Sequence, residues 1–98
     1  MYINMSMALQ QYEYGLFKAL GDKTRYKIVA ALAKHERCAC KLPKLVKRAQ
    51  PTVSLQLKYL TNAGILSSRR EGKKIIYWIS DKRVQRLFGK TSLIRNVS

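Results

Sequence analysis

The hydrophobic period of this chain switches from helical to alternating after Gly64 and back again after Ile79, and these switches fix the order of its elements. Up to Gly64 apolar residues recur at steps of three and four, the spacing of one helix face; beyond it Ile75, Tyr77 and Ile79 fall on one side and Ile76 and Trp78 on the other, the spacing of a strand. The run Ile65 to Arg70 precedes them across Glu71-Gly72-Lys73, which predicts a hairpin over 65–79 with a basic tip. A chain of 98 residues has room for one domain, so residues 1–98 are expected to be a set of helices closed by a single two-stranded ribbon.

The helices can be placed from their stripes and ends. Met5, Leu9, Tyr12, Leu16 and Leu20 form one stripe of a first helix ending near Gly21. Tyr2, Tyr12, Tyr14 and Phe17 add aromatic bulk beyond what one small core absorbs, which points to cover by a second chain. Asp22 is suited to cap a helix over Lys23 to Ala33 with Ile28, Val29 and Leu32 inward. After a polar break and two cysteines, Leu42, Leu45, Val46 and Ala49 suggest a short third helix with Pro43 in its first turn. Gln50-Pro51-Thr52 opens a fourth, with Val53, Leu57 and Leu60 inward and Asn62-Ala63-Gly64 as its stop. Asp81 caps a last helix carrying Val84, Leu87 and Phe88 and expected to stop at Gly89; residues 90–98 have too little pattern to place.

This order, with two helices meeting at a very short connection ahead of a ribbon, is that of a winged helix-turn-helix. The expected fold class is mainly α (α+β), about five helices with a two-stranded β-hairpin wing. Charge agrees. Twenty Lys and Arg stand against five Asp and Glu, a formal +15, and a field of that sign draws polyanions. Between Lys41 and Lys74 lie nine basic residues and the single acid Glu71. Residues 50–63 would be the recognition helix. Off its apolar face stand Thr52, Ser54, Leu55, Gln56, Lys58 and Tyr59, led by Gln50; of these Gln50, Thr52, Ser54, Leu55, Gln56 and Lys58 are the candidate base contacts, since Gln bonds an adenine edge in two places, Ser and Thr bond base or phosphate, and an exposed Leu rests on a thymine methyl. The plainer alternative is that Gln50 and Thr52 only cap the helix and Lys58 is a solvated charge. Lys44 and Lys47, on the preceding helix, would face phosphate. Arg69, Arg70, Lys73 and Lys74 bracket the hairpin turn, where they can reach phosphate or an adjacent minor groove, or simply protect an exposed edge. Tyr77 and Trp78 read as core.

Other classes are poorly supplied. One His, five scattered acids, no glycine-rich phosphate loop and no Ser/His/Asp set argue against an enzyme. No stretch approaches the roughly 20 apolar residues of a membrane span, and Met1 to Gln10 lacks the pattern of a signal peptide, so a cytoplasmic protein without a membrane partner is expected. An architectural protein coating DNA by charge alone is the competing DNA-binding reading.

From Leu16 to Ile79 the chain resembles the ArsR/SmtB family of small dimeric winged-helix repressors. Leu16-Phe17-Lys18-Ala19-Leu20-Gly21-Asp22-Lys23-Thr24-Arg25 is similar to the family's opening, with Lys23 where proline is usual. Gln50-Pro51-Thr52-Val53-Ser54, Leu57-Lys58, Leu60, Ala63-Gly64-Ile65-Leu66 and Arg69-Arg70-Glu71-Gly72-Lys73 resemble its reading helix and wing without a gap. The resemblance implies a homodimer built on the first and last helices, here 1–20 and 81–90, that represses from an inverted-repeat operator in double-stranded DNA and is released by an effector.

Glu36-Arg37-Cys38-Ala39-Cys40-Lys41-Leu42 is similar to the family's arsenic-sensing segment. Thiolates suit soft ions such as As(III), and Arg37 and Lys41 would lower the thiol pKa values. Residues two apart in a regular helix point about 200° apart, so Cys38 and Cys40 would share one ion only where the helix start is bent or unwound, which would set ion binding against the helix that positions the reading head. The third cysteine of arsenic sensors, three places on, is Pro43 here, which leaves His35 as the candidate third ligand. Lys82, Arg83 and Arg86 stand in the last helix where the family's zinc-type site has histidines and acids, so no zinc site is expected there. No cofactor is required. Three readings of the pair stay open: a sensor of arsenite or antimonite, a thiol redox switch, and a remnant without effector.

Overall fold

A computed structural model describes the backbone of residues 14–97 and the side chains of 14–89. Residues 14–20 are helical and form the described part of α1; Tyr2, Met5, Leu9 and Tyr12 lie outside the described residues. Then follow α2 (Lys23–Lys34), β1 (Arg37–Cys38), a 3-10 turn (Ala39–Lys41), α3 (Leu42–Val46), α4 (Gln50–Asn62), β2 (Leu66–Glu71), β3 (Lys74–Ile79) and α5 (Lys82–Val97).

The expected caps form. Asp22 Oδ2 accepts from the Arg25 backbone N–H at 3.0 Å, and Asp81 Oδ1 accepts from the Arg83 and Val84 N–H groups at 2.8 and 3.2 Å. At the end of α4 Gly64 takes φ +81°, the Ile65 N–H donates to the Leu60 carbonyl and the Gly64 N–H to that of Thr61, each at 3.0 Å. That pair of bonds is a Schellman stop, and the left-handed residue it needs carries no strain in glycine.

One core joins the elements. Ile28, Val29 and Leu32 of α2 meet Leu42 and Val46 of α3, Val53, Leu57 and Leu60 of α4, Ile65, Leu66 and Ile79 of the hairpin and Val84 of α5. Burying each of the larger ones contributes about 1.5–3 kcal/mol. The packing aligns α3 and α4 on α2 and leaves the outer face of α4 uncovered.

Four expectations change. The sheet has three strands, not two, in the order β1-β3-β2: Arg37 pairs with Tyr77 and Cys38 with Ile76, so the cysteine segment is a third strand of the wing. A strand of two residues has no period to detect. Helix α3 ends at Val46, and Ala49 is the N-cap position of α4 instead of a residue on the α3 stripe. Gly89 does not end α5, which runs on to Val97; glycine stops a helix by taking positive φ, as Gly64 does at the end of α4 and Gly89 does not. Trp78 is half-buried and lies under Arg69, 5.4 Å from ring centroid to guanidinium, instead of in the core. Among the described residues no helix is long and apolar enough to cross a membrane.

Candidate nucleic-acid interface

The turn between α3 and α4 is three residues long and is closed by one non-glycine left-handed residue, Lys47, at φ 59° and ψ 50°. Its N–H and that of Arg48 both donate to the Pro43 carbonyl, the latter at 3.1 Å, which ties the turn to the start of α3. Pro51 sits in the first turn of α4, where its missing N–H costs nothing. The N-cap Ala49 supplies no side-chain bond. Gln50 and Thr52 are therefore not caps, and both are exposed.

Ser54, Leu55 and Lys58 share that exposed surface, Leu55 with 64% of its area open. Gln56 differs: it is half-buried, and its Oε1 accepts from Arg25 Nη1 of α2 at 3.0 Å. Five of the six candidate base contacts are thus exposed, spread over a broad arc of α4 with Gln50 and Thr52 about 200° apart at its edges, and the sixth is held from behind.

Lys44 and Lys47 are exposed beside the turn. Lys27 of α2 joins them, and burial first, then the charges of Arg48, Lys23 and Lys47, hold its pKa below the ordinary lysine range. Cations crowded in this way repel one another, and a phosphate between them relieves the repulsion. Arg48 is one of the nine basic residues counted between Lys41 and Lys74, whereas Lys23 and Lys27 lie outside that stretch. The spacing of Lys23 and Lys27, i and i+4 on one helix, was the signal that could have found them.

At the wing, Lys73 and Lys74 are exposed and Arg70 Nε donates to the Gly72 carbonyl at 3.1 Å beside the turn. Arg69 is differently committed. Its Nη1 donates to Glu36 Oε1 at 2.9 Å, its Nη2 to Glu36 Oε2, and its Nε to Glu71 Oε2 at 2.7 Å. The hydrogen bonds to Glu36 and Glu71 push the Arg69 pKa up, and the bond from Arg69 pulls that of Glu36 down. With two carboxylates against it, Arg69 offers DNA little net charge.

Cys38 is buried in β1 with extended backbone, and Cys40 is exposed in the 3-10 turn. The sulfurs are joined as a disulfide with Cα atoms 5.1 Å apart, and the Cys40 N–H donates to Cys38 Sγ at 3.1 Å. The two sulfurs meet ahead of α3, one in β1 and one in the 3-10 turn, so neither residue is in the regular helix. The third ligand expected from His35 is not assembled. Among the described residues no three His, Cys, Asp or Glu side chains converge, and His35 Nδ1 lies 2.9 Å from the Glu36 carbonyl oxygen.

Away from α4, α1 and α5 enclose a mostly apolar groove of about 180 Å³ lined by Leu16, Phe17, Leu20, Val84 and Leu87 together with Arg83. Phe17 is 71% and Leu87 57% exposed.

A helix pair with an open second helix, flanked by cations and a basic hairpin, defines a winged helix-turn-helix DNA-binding domain. The bacterial regulatory protein arsR family matches residues 22–68. An uncharacterized HTH-type transcriptional regulator of Methanocaldococcus jannaschii is 40% identical over 82 residues, which is 81% of this chain and 92% of that protein. A cadmium resistance transcriptional regulatory protein CadC homolog of Staphylococcus aureus is 38% identical over 79 residues, 80% of this chain; the match spans 65% of that longer relative. The solution structure of a homodimeric winged helix-turn-helix DNA-binding domain from Mycobacterium bovis superposes with TM-score 0.76 at 28% identity, covering 93% of this chain and 84% of that one. The chain belongs to the arsR family of DNA-binding transcriptional regulators, which are not enzymes.

Proposed function

We propose that the chain is a homodimeric, cytoplasmic repressor that binds an inverted-repeat operator and leaves it when a soft thiophilic ion, arsenite or antimonite, binds at Cys38 and Cys40. The observation that carries the DNA reading is the broad exposed arc of α4 that runs through Gln50, Ser54, Lys58, Leu55 and Thr52. These residues, with Gln56, read base edges. Lys23, Lys27, Lys44, Lys47, Arg48 and the wing residues Arg70, Lys73 and Lys74 hold phosphate; Arg69 serves mainly to tie the wing to Glu36. The homodimer is supported by the exposed apolar surface of α1 and α5 and by the M. bovis domain, and a metal effector by the cadmium regulator among the relatives.

The ion reading rests on two sulfurs that stand together, one exposed to solvent. The disulfide between them favours a second reading, a thiol redox switch. Fluorescence anisotropy with reduced protein separates these. Tight binding to a duplex from upstream of its own gene, a scrambled duplex bound at least 10³-fold more weakly, and release by arsenite are expected of the sensor. Release by oxidant alone means the redox switch, and equal binding to both duplexes means an architectural protein.

A further inference from the structure

We propose that Arg25 is a positioning residue for sequence reading: from behind α4 it fixes which way the Gln56 amide faces, and so sets the base that Gln56 accepts. This rests on the reading of α4 as the helix that meets DNA bases. Arg25 lies on α2, and its side chain joins three helices. Nε donates to the Ala19 carbonyl at the end of α1 at 2.7 Å, Nη1 donates to Gln56 Oε1 at 3.0 Å, and the guanidinium stands 4.0 Å from the centre of the Tyr59 ring. Gln56 and Tyr59 are neighbours on one side of α4, and both are held by this one group.

The chemistry of the contact gives it a direction. A guanidinium has donors only, so the amide must turn its oxygen inward; the flipped amide would set N–H groups against a cation. Nε2, with two donors, then points away from Arg25. In the major groove an outward donor suits N7 or O6 of guanine, N7 of adenine or O4 of thymine, and meets a donor in the N4 amino group of cytosine. Freed from Arg25, the amide can turn over and accept from that amino group. Arg25 thus sets discrimination against cytosine at one position without itself needing to touch DNA. The Tyr59 contact holds the guanidinium plane in place, at a site where a lysine would keep the charge and lose the fork.

The test begins with selection of the operator from random duplexes by the wild-type protein. Anisotropy titrations follow on a panel in which each base pair is changed in turn, with wild type, Gln56→Ala, Arg25→Met, Arg25→Lys and the Arg25→Met/Gln56→Ala double variant. Wild type is expected to disfavour cytosine at one position by roughly tenfold, and Gln56→Ala to remove that preference there alone. Arg25→Met should bring it below about threefold at the same position while the other positions keep theirs, and the double variant should match Gln56→Ala. Arg25→Lys, the substitution that disturbs the fold least, should relax the same position. The proposal is overturned if the Arg25 variants weaken every duplex by one factor with preferences intact, or if Gln56→Ala alters no position. If the wild type selects no sequence, the reading of α4 itself fails, a result separate from either of these.

Discussion

Lys47 sits in the left-handed region, where a non-glycine residue costs roughly 1–2 kcal/mol, because two helices must meet within three residues. Replacing it with glycine removes that cost and adds about 0.5–1 kcal/mol of chain entropy to be lost on folding. Lys47→Gly is therefore expected to raise stability slightly, by about 0.5 kcal/mol in urea unfolding, while lowering affinity for all DNA sequences alike. Lower stability would mean that the lysine stem packs better than its exposure suggests. Most of the reading face was legible residue by residue, since removing Val53, Leu57 and Leu60 from α4 leaves the positions that are open. The individual commitments of Gln56 and Arg69 were not, because their partners Arg25 and Glu36 are 31 and 33 residues away in sequence.

Among the elements, the wing departs furthest from its expected form. Helices and hairpin were legible because periods of 3.6 and 2 are long enough to see; β1 was not, since its two residues become a strand only by pairing with β3. That pairing changes how an effector would act. Cys38 is opposite Ile76, and Glu36, two residues before it, grips Arg69 of β2, so the cysteine segment is tied to the wing as well as leading through the 3-10 turn into α3. Glu36→Gln should weaken the grip and release positive charge on the wing. DNA affinity is expected to rise, and the slope of log affinity against log salt to steepen by up to one phosphate contact. An unchanged slope would show that Arg69 faces away from DNA. The same tie carries a pH signature. The Glu36 pKa is lowered in the folded chain, so the interaction is fully present above the ordinary carboxylate range and is lost as pH falls through the lowered value. Both groups are exposed, so the loss should appear as loosening of the wing in hydrogen exchange instead of a shift in global unfolding.

Across the whole molecule, the exposed surface of α4 and the groove of α1 and α5 are separate surfaces, which the proposed function assigns to DNA and to a second copy. Leu87→Glu puts a charge on the apolar face and is expected to give a folded monomer in sedimentation, with operator affinity reduced at least tenfold because half-sites are no longer linked. A dimer that survives would move the interface off α1 and α5. The length of α5 was not legible, since Gly89 reads as a stop until its φ is known. On the proposed function, reading and release fall to different parts of the fold: α4 would meet the bases, and the Cys38–Cys40 pair would govern departure without being needed for binding. Operator affinity of reduced wild type, Cys38→Ser and the more exposed Cys40→Ser, each with and without arsenite, decides whether that division holds. All three should bind within about threefold of one another, and only the wild type should let go when arsenite is added. Release of either variant by arsenite, or loss of DNA binding in both without it, would show that the division is wrong.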